Sequence, residues 1–138
     1  MRISARSDYA VRAVIEIAAA APALVKADQI AEAQGIPIKF LENILSDLRR
    51  AGIVRSKRGA EGGYVLGFDA NDLSVAHVMR SVDGPLAWVR DERPGVVHYD
   101  GNADGLEQVW VEVRASLRGA IDHVSIGQLV THQLPKAV

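Results

Sequence analysis

The sequence predicts a mainly α-helical fold with one small β-hairpin and a long C-terminal helix. Apolar residues recur at three- and four-residue spacing through most of the chain, as they do on helices with one buried face. Within residues 26–66 this pattern is interrupted at Gly35 and again in the glycine-rich run 59–63. Two short helices joined through a glycine turn and followed by a hairpin outline a winged helix-turn-helix, in which the second helix enters the DNA major groove.

The first helix is predicted over residues 4–20 and the second over residues 28–34. Ser4 or Ser7 can cap the first helix, and Gly35 provides the turn that ends the second. The buried face of the first helix is predicted to contain Val11, Val14, Ile15 and Ala18.

Residues 37–51 are predicted to form the recognition helix. Pro37 suits a first helical turn, and Gly52 suits the position after a helix end. The predicted buried face comprises Ile38, Leu41, Ile44, Leu45 and Leu48. The candidate base-contacting residues at the exposed start are Lys39, Phe40, Glu42 and Asn43. An asparagine can form two hydrogen bonds with adenine, a glutamate can accept one from cytosine N4, and a lysine favours guanine or phosphate.

The predicted hairpin, or wing, carries a basic and glycine-rich tip. Residues 39–58 hold six Lys and Arg side chains and two acidic ones, a local net charge of +4 in a chain of net −1. Such clustering with a wing is typical of a phosphate-binding surface, whereas a basic run alone is usually a solvated face. Arg58 and Gly59 are predicted to reach the minor groove. The predicted phosphate contacts are Arg49, Arg50, Arg55 and Lys57. Because an acid is unfavourable beside phosphate, Glu61 should point away, pair with Arg58 or weaken DNA binding.

Composition excludes several classes of protein. The 138 residues contain no cysteine, which rules out disulfides, thiolate metal sites and catalytic thiols. No run of 18 apolar residues could span a membrane and the start lacks a signal-peptide core, so we expect a cytoplasmic protein. No nucleophile–base spacing, phosphate-binding glycine loop or paired-histidine motif suggests an enzyme. Residues 1–68 carry a net charge of +3 and residues 69–138 one of −4, which places any DNA contact in the first half.

The second half is predicted to contain a short helix at residues 75–82, a long loop and a long helix at 103–124. The loop, residues 86–102, shows no usable periodicity. Because aromatic residues concentrate there in an aromatic-poor chain, Trp88, His98 and Tyr99 are candidates for a small effector pocket. A short helix folding back to residue 130 and a tail, 131–138, complete the chain. The apolar stripe of the long helix, expected to pair with a second copy, comprises Leu106, Val109, Trp110, Val113, Leu117 and Ile121.

Several segments resemble a known family. SDYAVRAVIEIA, then IAEAQGIP, KFLENIL and LRRAGIV, and finally GGY and SVDGPLA resemble the Rrf-type family of winged-helix transcription regulators. The resemblance spans about residues 1–130 and implies a DNA-binding homodimer. Its best-known members are iron–sulfur cluster regulators and nitric-oxide-sensitive repressors, with three cluster-binding cysteines in the loop that corresponds to residues 86–102. In some members a carboxylate near the position of Asp8 helps to ligate the cluster of the partner subunit.

The expected function is a homodimeric, sequence-specific DNA-binding repressor without a cofactor, controlled by a small ligand or a protein partner. The DNA-binding domain is expected at residues 1–85 and the dimerisation region at 103–130. One alternative is an unusual metal or cluster site that includes Asp8, His98 and Glu107, although a cluster without thiolates is chemically poor. Another is a winged-helix protein-interaction module without specific DNA binding, against which the basic cluster argues.

Overall fold

Six helices and one two-stranded antiparallel sheet form the part of the chain that the computed structural model describes, residues 2–135. In chain order they are α1 (Ala5–Ala20), α2 (Ala27–Gln34), α3 (Ile38–Arg50), β1 (Val54–Lys57), β2 (Gly63–Leu66), α4 (Val75–Asp83), α5 (Leu106–Ile121) and α6 (Ile126–Val130). The predicted fold class, helices with one hairpin, is confirmed. Within residues 2–135, none of the helices combines the length and the apolar character that a membrane span requires. Met1 and the end of the predicted tail, residues 136–138, lie outside the described residues.

Helix α1 lies at the centre of the fold, since α2, α3, α4, α6 and β2 all pack against it. Ser4 caps the helix by accepting a hydrogen bond from the Ser7 backbone at 2.9 Å. Its fully buried apolar residues are Ala10, Ala13, Val14 and Ile17. Of the predicted face only Val14 is fully buried, and Val11, Ile15 and Ala18 are partly buried. The centre of the face falls on two alanines, whose small side chains admit the neighbouring helices but contribute little to an apolar pattern.

Helices α2 and α3 are joined at Gly35, which has a φ of +63° and ends α2 in the left-handed region. On α3, Leu41, Ile44, Leu45 and Leu48 are fully buried, as predicted. The prediction for Ile38 was wrong, because this side chain is 40% exposed. All of residues 37–40 are exposed, so α3 begins outside the core and enters it only after its first turn.

The wing is a short hairpin tied to the segment before α2. Val25 and Tyr64 exchange two backbone hydrogen bonds, with N···O distances of 3.1 and 2.7 Å. At the tip, the Gly62 backbone donates to the Gly59 carbonyl at 2.9 Å. Gly63 has a φ of +147°, and a Cβ there would lie 2.7 Å from the Val25 carbonyl oxygen. The close approach of the wing to this segment therefore requires glycine at position 63.

Helix α5 is shorter than predicted, since it begins at Leu106 and ends at Ile121. A 3₁₀ turn, Gly101–Ala103, occupies part of the expected first turn. At the other end the chain leaves the helix to pair with the segment before α4. There the Val75 N–H donates to the Val124 carbonyl at 2.9 Å, and the Ile126 N–H donates to the Leu73 carbonyl at 2.8 Å. This pairing places α6 against α1, as the contacts between the two helices show.

Candidate nucleic-acid interface

The start of α3 presents a polar face to solvent. Lys39, Glu42 and Asn43 are exposed, while the opposite face of the helix is buried in the core. Phe40 is 41% exposed and lies edge-on against the Tyr9 ring, with 5.5 Å between ring centroids. This contact holds an aromatic edge beside the three polar side chains, where it can meet the methyl group of a thymine.

Arg6 of α1 holds this face in position, a role that no local sequence pattern indicates. Its guanidinium donates to Asn43 Oδ1 at 2.8 Å, to the Asp47 carboxylate and to the Val82 carbonyl at 3.2 Å. The three acceptors lie on α3 and α4, so one side chain links three helices. Since a guanidinium only donates, the amide oxygen of Asn43 must face Arg6. The Asn43 amide group is thereby fixed in one orientation.

A basic cavity of about 320 Å³ lies between the wing, the N-terminus of α2 and the end of α3. Its charged lining consists of Lys26, Arg49, Lys57 and Arg58, and no acidic side chain of residues 2–135 contributes to the wall. Four positive charges around one concave surface are suited to a phosphate group. The structure thus brings together four residues predicted from sequence, Arg49, Lys57, Arg58 and Gly59, and adds Lys26. The basic charge directly before α2 was the only sequence signal for Lys26, and nothing local indicated that the wing would reach it.

The remaining predicted phosphate contacts are also accessible. Arg55 is exposed on β1. Arg50 is 76% exposed and reaches the Asp47 carboxylate at 3.2 Å. Glu61 lies exposed in the wing turn and forms no ion pair with Arg58 within residues 2–135.

Helix α5 carries its apolar stripe without a fully buried residue among the described part of the chain. Val109 is 50% exposed, and Trp110, Val113, Leu117 and Ile121 are half-buried. Within the described residues the helix packs against α4. A helix with this pattern normally buries one face, so the stripe is available to a further surface.

The three residues predicted to form an effector pocket make different contacts. Trp88 is 53% exposed and lines a cavity of about 320 Å³ together with Trp110. Tyr99 accepts a hydrogen bond from Trp110 Nε1 at 3.0 Å, and His98 Nδ1 lies 3.0 Å from Glu107 Oε2. The wall of the Trp88 cavity includes neither His98 nor Tyr99.

The residues present do not fit an iron–sulfur cluster. The sequence has no cysteine, and thiolates supply most or all ligands of such clusters. Of the three side chains in the alternative metal site, His98 and Glu107 meet, whereas Asp8 pairs with Arg12 at 3.1 Å. Residues 2–135 contain no group of three His, Asp or Glu side chains that could hold a metal ion.

Sequence comparisons identify known proteins that are similar to this chain. The profile of the Rrf2 family, described as an iron-dependent transcriptional regulator, matches residues 3–132. A Mycobacterium tuberculosis (strain H37Rv) protein named as an HTH-type transcriptional regulator is 45% identical over 139 residues, covering 100% of this chain and 86% of the relative. The HTH-type transcriptional regulator IscR of Escherichia coli K12 is 34% identical over 134 residues, covering 96% of this chain and 82% of IscR.

The chain is also similar to solved structures of regulators. CymR, described as the global cysteine regulator of B. subtilis, matches with a TM-score of 0.81 and 27% identity, covering 96% of this chain and 98% of CymR. IscR of T. potens matches with a TM-score of 0.77 and 27% identity, covering 99% and 94% of the two chains. Since the family profile covers almost the whole chain and two relatives exceed 30% identity, the chain belongs to the Rrf2 family and is a DNA-binding transcriptional regulator, not an enzyme.

Proposed function

We propose that the protein is a homodimeric, sequence-specific repressor that acts in the cytoplasm and is controlled by a small ligand or a protein partner. The observation that carries this proposal is the surface formed by the exposed start of α3 and the four-charge cavity beside the wing. Repression is the simplest mode of action, because a dimer that occupies a promoter blocks it without a further contact to the polymerase.

The proposed reading of DNA divides the surface into two functions. Lys39, Phe40, Glu42 and Asn43 read bases in the major groove, while Arg58 and Gly59 at the wing tip reach the minor groove. Arg49, Arg50, Arg55 and Lys57, together with Lys26, hold phosphates. Base contacts supply sequence preference, whereas phosphate contacts supply affinity that falls with salt.

Dimerisation is proposed through α5. Its apolar stripe remains half-exposed in a single chain, and pairing with the same helix of a second copy would remove it from water. A twofold dimer would place two α3 helices on one face of DNA, so the operator should be palindromic.

The proposed mode of control is based on the ligand chemistry of the loop. Family members described above use thiolates there, and this chain has none. A soluble small molecule or a protein partner therefore takes the place of the cluster in our proposal. An unusual metal site and a protein-interaction module remain as competing functions, and the following experiment separates them.

Selection of genomic fragments by the purified full-length protein tests the proposal. It is performed with and without a strong iron chelator and across a salt series. We expect a palindromic site in both conditions, with half-sites about one helical turn or a multiple apart. Recovery of that site only without chelator would support the metal alternative. Salt-sensitive binding with no preferred sequence in either condition would contradict sequence-specific regulation and favour the interaction module.

A further inference from the structure

A second concave surface, separate from the basic cavity of the wing, lies between α4, the loop after it and α5. This arginine cleft has a volume of about 370 Å³. Its charged lining is Arg80, Arg93, Arg114 and Arg118, and the Gly84, Pro85, Leu86 and Ala87 segment forms an apolar wall. The volume lies in the ordinary range for small-molecule sites.

The charge in the cleft is only partly compensated. Arg80 and Arg118 both bind the carboxylate of Asp122, the latter at 3.3 Å. Arg93 and Arg114 form no ion pair within residues 2–135. Four guanidinium groups against one carboxylate leave a net charge of +3 in a half of the chain whose overall charge is −4. Placing like charges side by side is unfavourable unless an anion joins them.

The residues that line the cleft indicate the chemical class of its ligand. Guanidinium groups present fixed pairs of N–H donors that match the oxygens of carboxylates and phosphates. Arg93 and Arg114 come from different elements, the loop and α5, so a ligand with two anionic groups can place one against each guanidinium. The apolar wall suits a small organic skeleton between these groups. A nucleic-acid backbone is less suitable, because the cleft is bounded by an apolar wall on one side.

We propose that the arginine cleft binds a small organic or inorganic polyanion that carries two or more carboxylate or phosphate groups. The regulatory role of the cleft rests on the proposed function, because the polyanion would be the small ligand that controls DNA binding. Leu86 and Ala87 form part of both this cleft and the Trp88 cavity, so the bound anion would lie next to the loop where sequence analysis expected an effector.

Isothermal titration calorimetry on the full-length protein at constant ionic strength tests the site. The probes are pyrophosphate and citrate, with acetate as a monovalent comparison. We expect one of the two polyanions to bind once per chain and acetate to give no measurable binding. The combined substitution Arg93→Gln and Arg114→Gln should weaken that binding by about tenfold or more, since loss of one charge-assisted hydrogen bond alone corresponds to about that factor. Which probe binds distinguishes phosphate from carboxylate chemistry.

The matched control is Arg90→Gln. Arg90 lies in the same loop, and its loss removes one positive charge, as does each of the two cleft substitutions made singly. It stacks on Tyr99, 5.7 Å from the ring centroid, and does not line the cleft. Polyanion affinity should stay within about twofold of the native value, because long-range charge effects are screened by salt. An equal loss in the control and the double variant would overturn the proposal in favour of nonspecific attraction.

Two further readouts separate the possible failures. Sedimentation velocity on the double variant reports whether acidic side chains of a second copy fill the cleft instead. A weaker dimer without polyanion binding to the native protein would overturn the proposal. Selection of a palindromic operator by a protein that binds neither probe would overturn the cleft but leave the proposed function intact. Polyanion binding by a protein that selects no operator would support the site and remove its regulatory role.

Discussion

Replacement of Arg6 tests how the recognition face is held together. Arg6→Ala removes the guanidinium that joins Asn43 and Asp47 on α3 to the Val82 carbonyl on α4. The side chains of Arg6 and Asp47 are 24% and 26% exposed, so their ion pair is sheltered from most of the solvent. The loss should therefore exceed that of a typical surface pair.

The expected loss of unfolding free energy is limited by the contacts that remain in the variant. Asp47 keeps Arg50 as a partner at 3.2 Å, so its charge is not left uncompensated. Hydrogen bonds to charged groups contribute about 1.5–3 kcal/mol each, and part of this is recovered through water at a half-buried site. We expect a decrease in unfolding free energy of about 1–2 kcal/mol, which corresponds to a decrease in Tm of roughly 3–8 °C for a chain of this size. Without Arg6 the Asn43 amide can rotate, so discrimination at one base pair should fall by up to about tenfold.

Two measurements, made on Arg6→Ala and on one control variant, isolate this effect. Thermal unfolding reports stability, and competition between the selected operator and single-base variants reports preference. Arg50→Ala removes a second partner of the same carboxylate, yet Arg50 is 76% exposed. Its stability should change by less than about 0.5 kcal/mol, and its DNA affinity should fall equally on all sequences. Native stability together with native base preference in Arg6→Ala would refute the reasoning.

The remaining predictions concern the wing and α5. Arg58→Ala should weaken binding to most sequences and reduce the salt slope of log K by about 1, as measured by fluorescence anisotropy in a salt series; an unchanged slope would remove Arg58 from the phosphate or groove contacts. Gly63→Ala should lower DNA affinity more than Tm, because a Cβ would meet the Val25 carbonyl at 2.7 Å and displace the wing while the core stays intact. Val109→Glu should convert the dimer to monomer in sedimentation equilibrium, whereas Ala115→Glu, an exposed position off the apolar stripe, should not; a dimeric Val109→Glu variant would contradict pairing through α5.

The extent to which the sequence predicted this structure depends on the range of the interactions. The helix pair and the wing were predictable because Gly35, the glycines of the wing and the periodicity of α3 act locally. Arg6 was missed because its acceptors Asn43 and Asp47 lie 37 and 41 residues away. Lys26 was missed for the same reason, since it belongs to the basic cavity only after the wing has folded back.

The boundaries of α5 also show that local sequence patterns do not predict the effect of nonlocal contacts. Its apolar spacing continues to Val124, and local pattern alone extends the helix to that point. The observed end at Ile121 is set by backbone pairing between residues 124–126 and 73–75, which competes with the last helical turn. Tertiary hydrogen bonds override helical propensity here. The arginine cleft is equally nonlocal, because its four arginines come from three segments that carry no shared motif.

Helix α4 touches both the arginine cleft and the network that holds α3. Arg80 lies in the cleft, while Val82, two residues further, accepts the hydrogen bond from Arg6 at 3.2 Å. Asp83 accepts from Ser7 at 2.5 Å and so ties the same turn to α1. An anion bound in the cleft would therefore lie beside the helix whose last turn positions Arg6.

This connection makes a quantitative prediction. If the polyanion changes DNA affinity by some factor, DNA must change the polyanion affinity by the same factor, because the two binding equilibria are linked. Arg6→Ala should leave the affinity for the polyanion alone near its native value, since Arg6 does not line the cleft. It should bring both coupling factors toward 1, because it removes the link from α4 to α3. Calorimetry of the probe with and without operator measures one factor, and DNA titration with and without the probe measures the other. A variant that keeps the native factor would show that the cleft acts through the pairing of α5 and not through Arg6.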